Sequence, residues 1–456
     1  MEAEYGEEEA SRQTILRGFL FPLPSPGHMI PLIDIAKLLS FRRVSVAVVT
    51  TPGNEPLVRP AIDHANTVSS SAAAIPIELV ILPFPDSVSH LFPGDSPENF
   101  SYIAPSAYTN LIVAITALRP SLHDLLDDEE ESKSVIVDGL PVRLELNKSE
   151  VSVIFQYKQM IEWMESAEKQ SFGVVVNTFY ELEPAYADLF RSRKAGRRAW
   201  FVGPVSLNNK DEIAMAERGG RASPDTARLM SWLDVQPVRS VVYACFGSLY
   251  ELDAAQLCET AAGLEAAGHR FIWAVRAWEG AASAGEGWLP EGFEERVQGW
   301  GVLLKGWAPQ TAILGHVAVG AFVTHCGWNS TLEGVAAGTP MVAVPLMYEQ
   351  FINERLITDV LRIGVRAASV RGKGAVTAEE MTAALGRVMG DGEEAEEMRR
   401  RAREFAALAR SAMEQGGSSY DDVGRMVEEL RTEGRRVSAA RGEKKAAESE
   451  KTAYVD

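Results

Sequence analysis

Apolar residues in this chain come in short, unbroken, largely β-branched blocks, and this constrains the fold more than any other feature. Residues 44–50 read VSVAVVT, 173–178 GVVVNT, 240–246 SVVYACF and 271–275 FIWAV. A strand with one wet face alternates apolar with polar residues. These blocks do not alternate, so both faces must be covered, as in a parallel sheet packed between helices. Strands are predicted at 15–24, 44–50, 77–82, 134–137, 173–178 and 200–205. A second set is predicted at 240–246, 271–275, 302–305, 321–324 and 341–345. Stretches with helical spacing lie between them, at 29–39, 107–126, 181–190, 254–267 and 328–337. Alternation of this kind gives an α/β class with a doubly wound sheet.

A polar stretch carrying Asn208-Asn209-Lys210-Asp211 and Gly219-Gly220 interrupts the alternation, and 456 residues are too many for one core. The expected organisation is a disordered acidic leader at 1–12 and a first Rossmann-like domain at 13–207. A linker follows at 208–224, then a second Rossmann-like domain with C-terminal helices at 225–436. A Lys/Glu/Ala/Ser-rich tail at 437–456 is expected to be disordered. Two such domains face each other across a cleft, where ligands of these folds bind.

Charge narrows the partners. Lys and Arg total 45 against 63 Asp and Glu, a formal charge of −18. Such a surface repels phosphate backbones and anionic lipid, so neither nucleic acid nor a membrane surface is an expected partner. The three cysteines, Cys245, Cys258 and Cys326, form no C-x-x-C pair and no disulfide framework. The first ten residues, MEAEYGEEEA, are acidic where a secretory signal is basic and then apolar, and no apolar run is long enough to insert in a bilayer. A cytoplasmic monomer is the expectation.

Chemistry concentrates between Trp307 and Gln350: WAPQTAILGHVAVGAFVTHCGWNSTLEGVAAGTPMVAVPLMYEQ. His325-Cys326-Gly327 stands directly before a helix predicted to begin at Trp328. Gly327 lets a ligand approach the backbone, and the first-turn N–H groups of Trp328, Asn329 and Ser330 make an anion site on the positive end of the helix dipole. The Ser330 hydroxyl and the His325 ring add donors. A diphosphate suits this place. Trp307 offers a flat face to a base, Glu333 an acceptor for ribose hydroxyls, and Glu349 and Gln350 polar groups for a sugar. Singly, each of these is more often ordinary: a core Trp, a helix cap, a solvated Glu. The set at this spacing is not. The same holds for His28, which by itself is a loop residue of Ser25-Pro26-Gly27-His28.

This 44-residue segment closely resembles the signature box of plant UDP-dependent glycosyltransferases of secondary metabolism. Supporting resemblances lie in residues 25–31 (SPGHMIP), 173–183 (GVVVNTFYELE) and 246–248 (FGS), and the likeness extends from about Leu16 to Glu429. It implies a GT-B fold and an inverting transfer of glucose from UDP-glucose to a small phenolic acceptor such as a flavonoid. By the resemblance Trp307 stacks on uracil, Ala308 and Gln310 hold the uridine, and Glu333 binds ribose. His325, Asn329, Ser330 and Ser248 contact the diphosphate, with the charge of the leaving group met by the helix terminus and His325. Trp328, Glu349 and Gln350 hold the sugar, and Gln in the last place goes with glucose. His28 is implied as general base, its tautomer held by Asp138. No cofactor is implied, and no metal, since Asp-x-Asp occurs nowhere in the chain.

One departure stands out. After Asp138 the family continues with a loop, a helix, a strand and a further helix that line the acceptor pocket. Here Asp138 runs directly into residues 139–146 (GLPVRLEL), a later part of the pattern, as though several dozen residues were deleted. The alternative reading is therefore a truncated relative that binds UDP-sugar without efficient transfer. A nicotinamide dehydrogenase ranks below both, because no G-x-G-x-x-G follows the first strand of either half.

Overall fold

The computed structural model describes residues 16–23, 25–69, 74–81, 135–137, 144–146, 166–193, 198–209, 211, 214–215, 218, 224–247, 252–275, 289–368 and 375–453. The first half contains β1 (Arg17–Leu20), α1 (Pro26–Phe41), β2 (Ser45–Thr50), α2 (Glu55–Ser69), β3 (Glu78–Ile81), β4 (Val135–Val137), β5 (Leu144–Leu146), β6 (Gly173–Val176), α3 (Pro184–Arg193) and β7 (Arg198–Phe201). The second contains α4 (Pro224–Asp234), β8 (Val241–Cys245), α5 (Ala254–Ala266), β9 (Arg270–Val275), α6 (Phe293–Arg296), β10 (Gly301–Lys305), α7 (Gln310–Leu314), β11 (Val319–Thr324), α8 (Trp328–Ala337), β12 (Met341–Ala343), α9 (Gln350–Arg355), β13 (Gly364–Arg366), α10 (Ala378–Met389), α11 (Glu393–Met413) and α12 (Ser418–Ala453). The leader, the expected helix at 107–126 and Asp138 lie outside the described residues.

The second half is a complete doubly wound domain. Its six strands are ordered β10-β9-β8-β11-β12-β13 and all pair parallel. Renumbered along the chain this is the order 3-2-1-4-5-6, whose topological switch point falls between β8 and β11. Tyr243 and Phe322 stack there with centroids 5.3 Å apart. Apolar clusters cover both faces of the sheet, one with Ile272, Phe322 and Leu332, the other with Trp273, Val323 and Leu385. That double coverage is why these strands read as unbroken apolar runs.

In the first half β1, β2 and β3 form a parallel sheet and β6 pairs parallel with β7. The strand before Asp138 behaves differently: β4 pairs antiparallel with β5, Val135 opposite Leu146. Only six residues, 138–143, separate the two strands, fewer than the helix-length crossover that a parallel pair needs.

Three expectations need correction. His28 is not in a loop: α1 begins at Pro26 and His28 lies in its first turn. Proline suits the first helical position, where its missing N–H costs nothing and its φ is already helical. The polar stretch 208–224 is not a bare linker, because Asn209, Ala214 and Arg218 are buried, Asn209 against Asp34 of the first domain and Arg218 between Asp34 and Glu333 of the two domains. The tail at 437–456 is helical through Ala453, in keeping with its Ala, Glu, Lys and Arg content. The first turns of α12 also belong physically to the first domain, since Val423, Met426 and Val427 complete a core with Met29, Val48 and Trp200.

Candidate active site

The expected binding residues among those described follow the carboxyl ends of β10, β11 and β12. After β11 the chain turns sharply through Cys326, which has a φ of 64°. A side chain rarely tolerates that region, and three hydrogen bonds brace it here. Its N–H donates to Thr324 Oγ1 at 3.2 Å, and its carbonyl accepts from Asn353 Nδ2 at 2.9 Å and Thr331 Oγ1 at 3.4 Å. Burial pushes the Cys326 thiol well above its usual range, so it is an inert packing group. The turn presents His325 on one side and starts α8 on the other. Gly327 caps α8 without a side-chain bond, which leaves the first-turn N–H groups for a ligand. At the far end Gly338, with a φ of 73°, closes the helix ahead of Pro340.

The His325 ring is wedged between two glycines. A Cβ on Gly247 or on Gly327 would lie 2.5 Å from His325 Nε2. Both positions therefore need glycine because of this ring, and Gly247, with a φ of 83°, needs it for its backbone too. Nδ1 of His325 is buried without a hydrogen-bond partner among the described residues. Burial lowers the His325 pKa to about 4. The ring is thus neutral near pH 7 in the free protein.

Gln310, at the start of α7, ties Glu333, Ser330 and Tyr243 together. Its Nε2 donates to Glu333 Oε2 at 2.7 Å and Ser330 Oγ at 3.1 Å, and its Oε1 accepts from the Tyr243 hydroxyl at 3.2 Å. Trp307 is 46% exposed, a large indole face left open, while its neighbour Ala308 is buried. Glu349 is exposed and follows Tyr348, whose φ is 54°. Protein atoms around Glu349 desolvate its carboxylate and raise its pKa. Gln350 is buried, and its Oε1 accepts the N–H groups of Leu346 and Met347, both at 2.9 Å. Only its amide N–H₂ is left to face a ligand.

Two of these side chains reach across to the first domain. Trp328 Nε1 donates to the Asn177 carbonyl at 2.8 Å, and Asn329 Nδ2 to the Gly27 carbonyl at 2.6 Å. The second contact sets Asn329 beside His28. The His28 ring is exposed and its Nδ1 lies 3.2 Å from the buried Ser25 Oγ. The cleft wall around it desolvates the imidazolium and lowers its pKa. With Nδ1–H donating to Ser25, the lone pair of Nε2 is available to a substrate proton. Ser25 is thus the hydrogen-bond partner of His28 among the described residues. A Ser-x-x-His pair across a helix start was the available signal. Asp138 and Ser248 lie outside the described residues. Sequence reading also missed Tyr243, Asn177 and Arg218, which meet the site only through tertiary packing.

Residues 203–402 match the family model described as UDP-glucoronosyl and UDP-glucosyl transferase. A scopoletin glucosyltransferase of Nicotiana tabacum is 36% identical, with 91% of this chain and 98% of the relative covered. The chain belongs to the plant UDP-glycosyltransferases. A flavonoid 3-O-glucosyltransferase of Fragaria ananassa is also 36% identical, over 90% of this chain and 95% of the relative. Among solved structures, a Glycyrrhiza uralensis protein complexed with glycyrrhetinic acid 3-O-monoglucuronide superposes with a TM-score of 0.78 at 30% identity, covering 96% of this chain and all of that one. This UDP-glycosyltransferase is therefore an enzyme of GT-B fold that takes a UDP-sugar donor. Its alignment with the tobacco relative spans 479 positions, more than the whole 456-residue chain, yet takes in 91% of it. Several dozen positions of the relative thus have no counterpart here. Among the described residues no helix is long and apolar enough to cross a membrane.

Proposed function

We propose that this UDP-glycosyltransferase transfers glucose from UDP-glucose to the hydroxyl of a small phenolic acceptor such as a flavonoid, inverting the anomeric centre. The carrying observation is the 2.6 Å bond from Asn329 to the Gly27 carbonyl, which sets a histidine from one domain beside the anion-binding helix start of the other. The relatives named for scopoletin and flavonoid glucosylation support the acceptor class.

His28 Nε2 takes the proton of the acceptor hydroxyl as its oxygen attacks C1 of glucose. The C1–oxygen bond to the diphosphate breaks on the opposite face and its electron pair leaves with UDP. An α-linked donor thus yields a β-glucoside. Asn329, Ser330, His325, Ser248 and the first turn of α8 meet the charge that builds on the diphosphate. Trp307 and Ala308 hold the base with Gln310, Glu333 takes the ribose diol, and Trp328, Glu349 and Gln350 hold the glucose. Asp138 is assigned to steady His28 during transfer. The reading includes a metal-free reaction and a monomeric, cytoplasmic protein.

UDP release tests it, with UDP-glucose and a panel of flavonols, coumarins and simple phenols, beside His28→Ala. Acceptor-dependent release that vanishes in the variant is expected. UDP that raises the melting temperature with no release for any acceptor would overturn transfer in favour of a relative that only binds the donor.

A further inference from the structure

Four buried charged groups at the domain boundary play no part in the transfer written above, except through one end. Arg218 lies between two carboxylates: its Nε donates to Asp34 Oδ2 at 2.8 Å and its Nη1 to Glu333 Oε1. Arg218 is 9% exposed, Asp34 1% and Glu333 5%. Asp34 belongs to α1, six residues after His28. Its Oδ1 accepts from Asn209 Nδ2 at 2.9 Å and sits 3.7 Å from Lys37 Nζ, which donates to Asn209 Oδ1 at 2.6 Å. Lys37, Asp34, Arg218 and Glu333 thus form a chain of alternating sign with no net charge, running from the first domain through the connecting segment to the donor site. Burial lowers the Lys37 pKa and would lower that of Arg218, but Glu333 and Asp34 outweigh burial and raise Arg218 above its ordinary value.

A buried ion pair is weak evidence for stability, since desolvation offsets its Coulomb gain. It is a strong device for geometry. The guanidinium is a rigid planar fork whose donors hold both carboxylates at a set angle, which a flexible ammonium cannot do. Glu333 needs such a brace, because its other hold, Gln310, comes from its own domain and is itself a candidate ligand contact. A carboxylate accepts at about four lone-pair positions, so Arg218 on one oxygen and Gln310 on the other still leave room for a diol.

We infer that Arg218 is a positioning residue for donor recognition, aiming the Glu333 carboxylate at the ribose while Asp34 of the first domain braces it from behind. The inference rests on the reading of Glu333 as the ribose acceptor. It has an unusual consequence: a buried aspartate on the helix that carries His28 contributes to affinity for a nucleotide held by the opposite domain.

Titration calorimetry of the full chain with UDP and with 2′-deoxy-UDP tests this in wild type, Arg218→Lys, Asp34→Asn and Glu333→Gln. Wild type prefers UDP by about ten-fold or more, the worth of a hydrogen bond to a charged group. Arg218→Lys keeps the charge and loses the fork. It is expected to bind UDP about ten-fold more weakly and to discriminate by less than about threefold, with Asp34→Asn moving the same way. In turnover the loss falls on the donor KM more than on kcat, and the acceptor KM is spared. General loosening would weaken UDP and 2′-deoxy-UDP equally, and that outcome overturns the inference. So does wild-type affinity and preference in Arg218→Lys. If Glu333→Gln keeps the preference, the ribose reading itself has failed. If Glu333→Gln loses it while Arg218→Lys and Asp34→Asn keep it, only the positioning role has failed. Should Arg218→Lys not fold, Asp34→Asn decides on the same readout.

Discussion

Asn329 donates across the domain cleft to the carbonyl oxygen of Gly27, and Pro31 is the reason that oxygen is free. A helical residue four places on would normally bond to it, but proline has no N–H to give. An internal proline in α1 thus exposes an acceptor beside His28, and the second domain fills it. Asn329→Ala leaves a partly buried carbonyl unpaired, at a cost of about 1–2 kcal/mol. The expected result is a lower melting temperature together with lower kcat/KM. A variant with wild-type melting would show that the contact carries no stability.

Gly327→Ala places a Cβ 2.5 Å from His325 Nε2 and is expected to displace the ring, weakening UDP binding. His325→Ala removes the obstacle. The double variant His325→Ala/Gly327→Ala should therefore be no less stable than His325→Ala alone, a non-additivity that melting curves detect directly. Additive losses would mean that Gly327 is required for something other than the ring.

Acid should loosen the second domain through His325. Its pKa is about 4 in the folded chain against 6.5 for an unperturbed histidine. A depressed pKa means the unfolded chain takes up the proton first. The associated stability is fully present above pH 6.5 and is lost progressively as pH falls through 4, by about 3 kcal/mol in all. Denaturant melts at pH 7, 5.5 and 4 should show this slope, and His325→Gln should flatten it between pH 6.5 and 4. Bound UDP should blunt it as well, because the diphosphate favours the charged ring.

His28 gives a pH signature of another kind, in rate. A general base must be neutral, and desolvation holds the His28 pKa below its ordinary value of 6.5. Turnover at saturating donor should hold steady through neutrality and fall only as pH drops through that lowered pKa. Ser25→Ala removes the described partner of Nδ1. It is expected to lower kcat and leave donor KM unchanged, whereas His28→Gln should abolish transfer and retain UDP binding.

The second domain was legible because its signals are local and mutually consistent. Unbroken apolar blocks marked its strands, and the helix at 328–337 matches α8 residue for residue because Gly327 and Gly338 punctuate it. The candidate ligands between Trp307 and Gln350 lie on consecutive turns, so one segment announced them. The first domain was harder to read. The start of α1 looked like a loop, since proline and glycine break most helices, whereas a proline at the first position suits one. Arg218 and Asp34 left no local trace: their meaning is a contact between residues 184 positions apart.

Gln350 permits a test that separates shape from sugar recognition. Its Oε1 holds the N–H groups of Leu346 and Met347, so the turn after β12 depends on an acceptor at this atom. Gln350→Glu keeps an oxygen there and replaces the free amide N–H₂ with a second acceptor. The turn should survive, with melting within about 1 kcal/mol of wild type, while a sugar hydroxyl that accepts from the amide loses its donor. The donor KM for UDP-glucose should then rise about ten-fold with the affinity for UDP itself unchanged. Gln350→Ala loses both functions and should melt earlier as well. If Gln350→Glu uses UDP-glucose as well as wild type does, the amide plays no part in holding the sugar and Gln350 serves only to shape the turn.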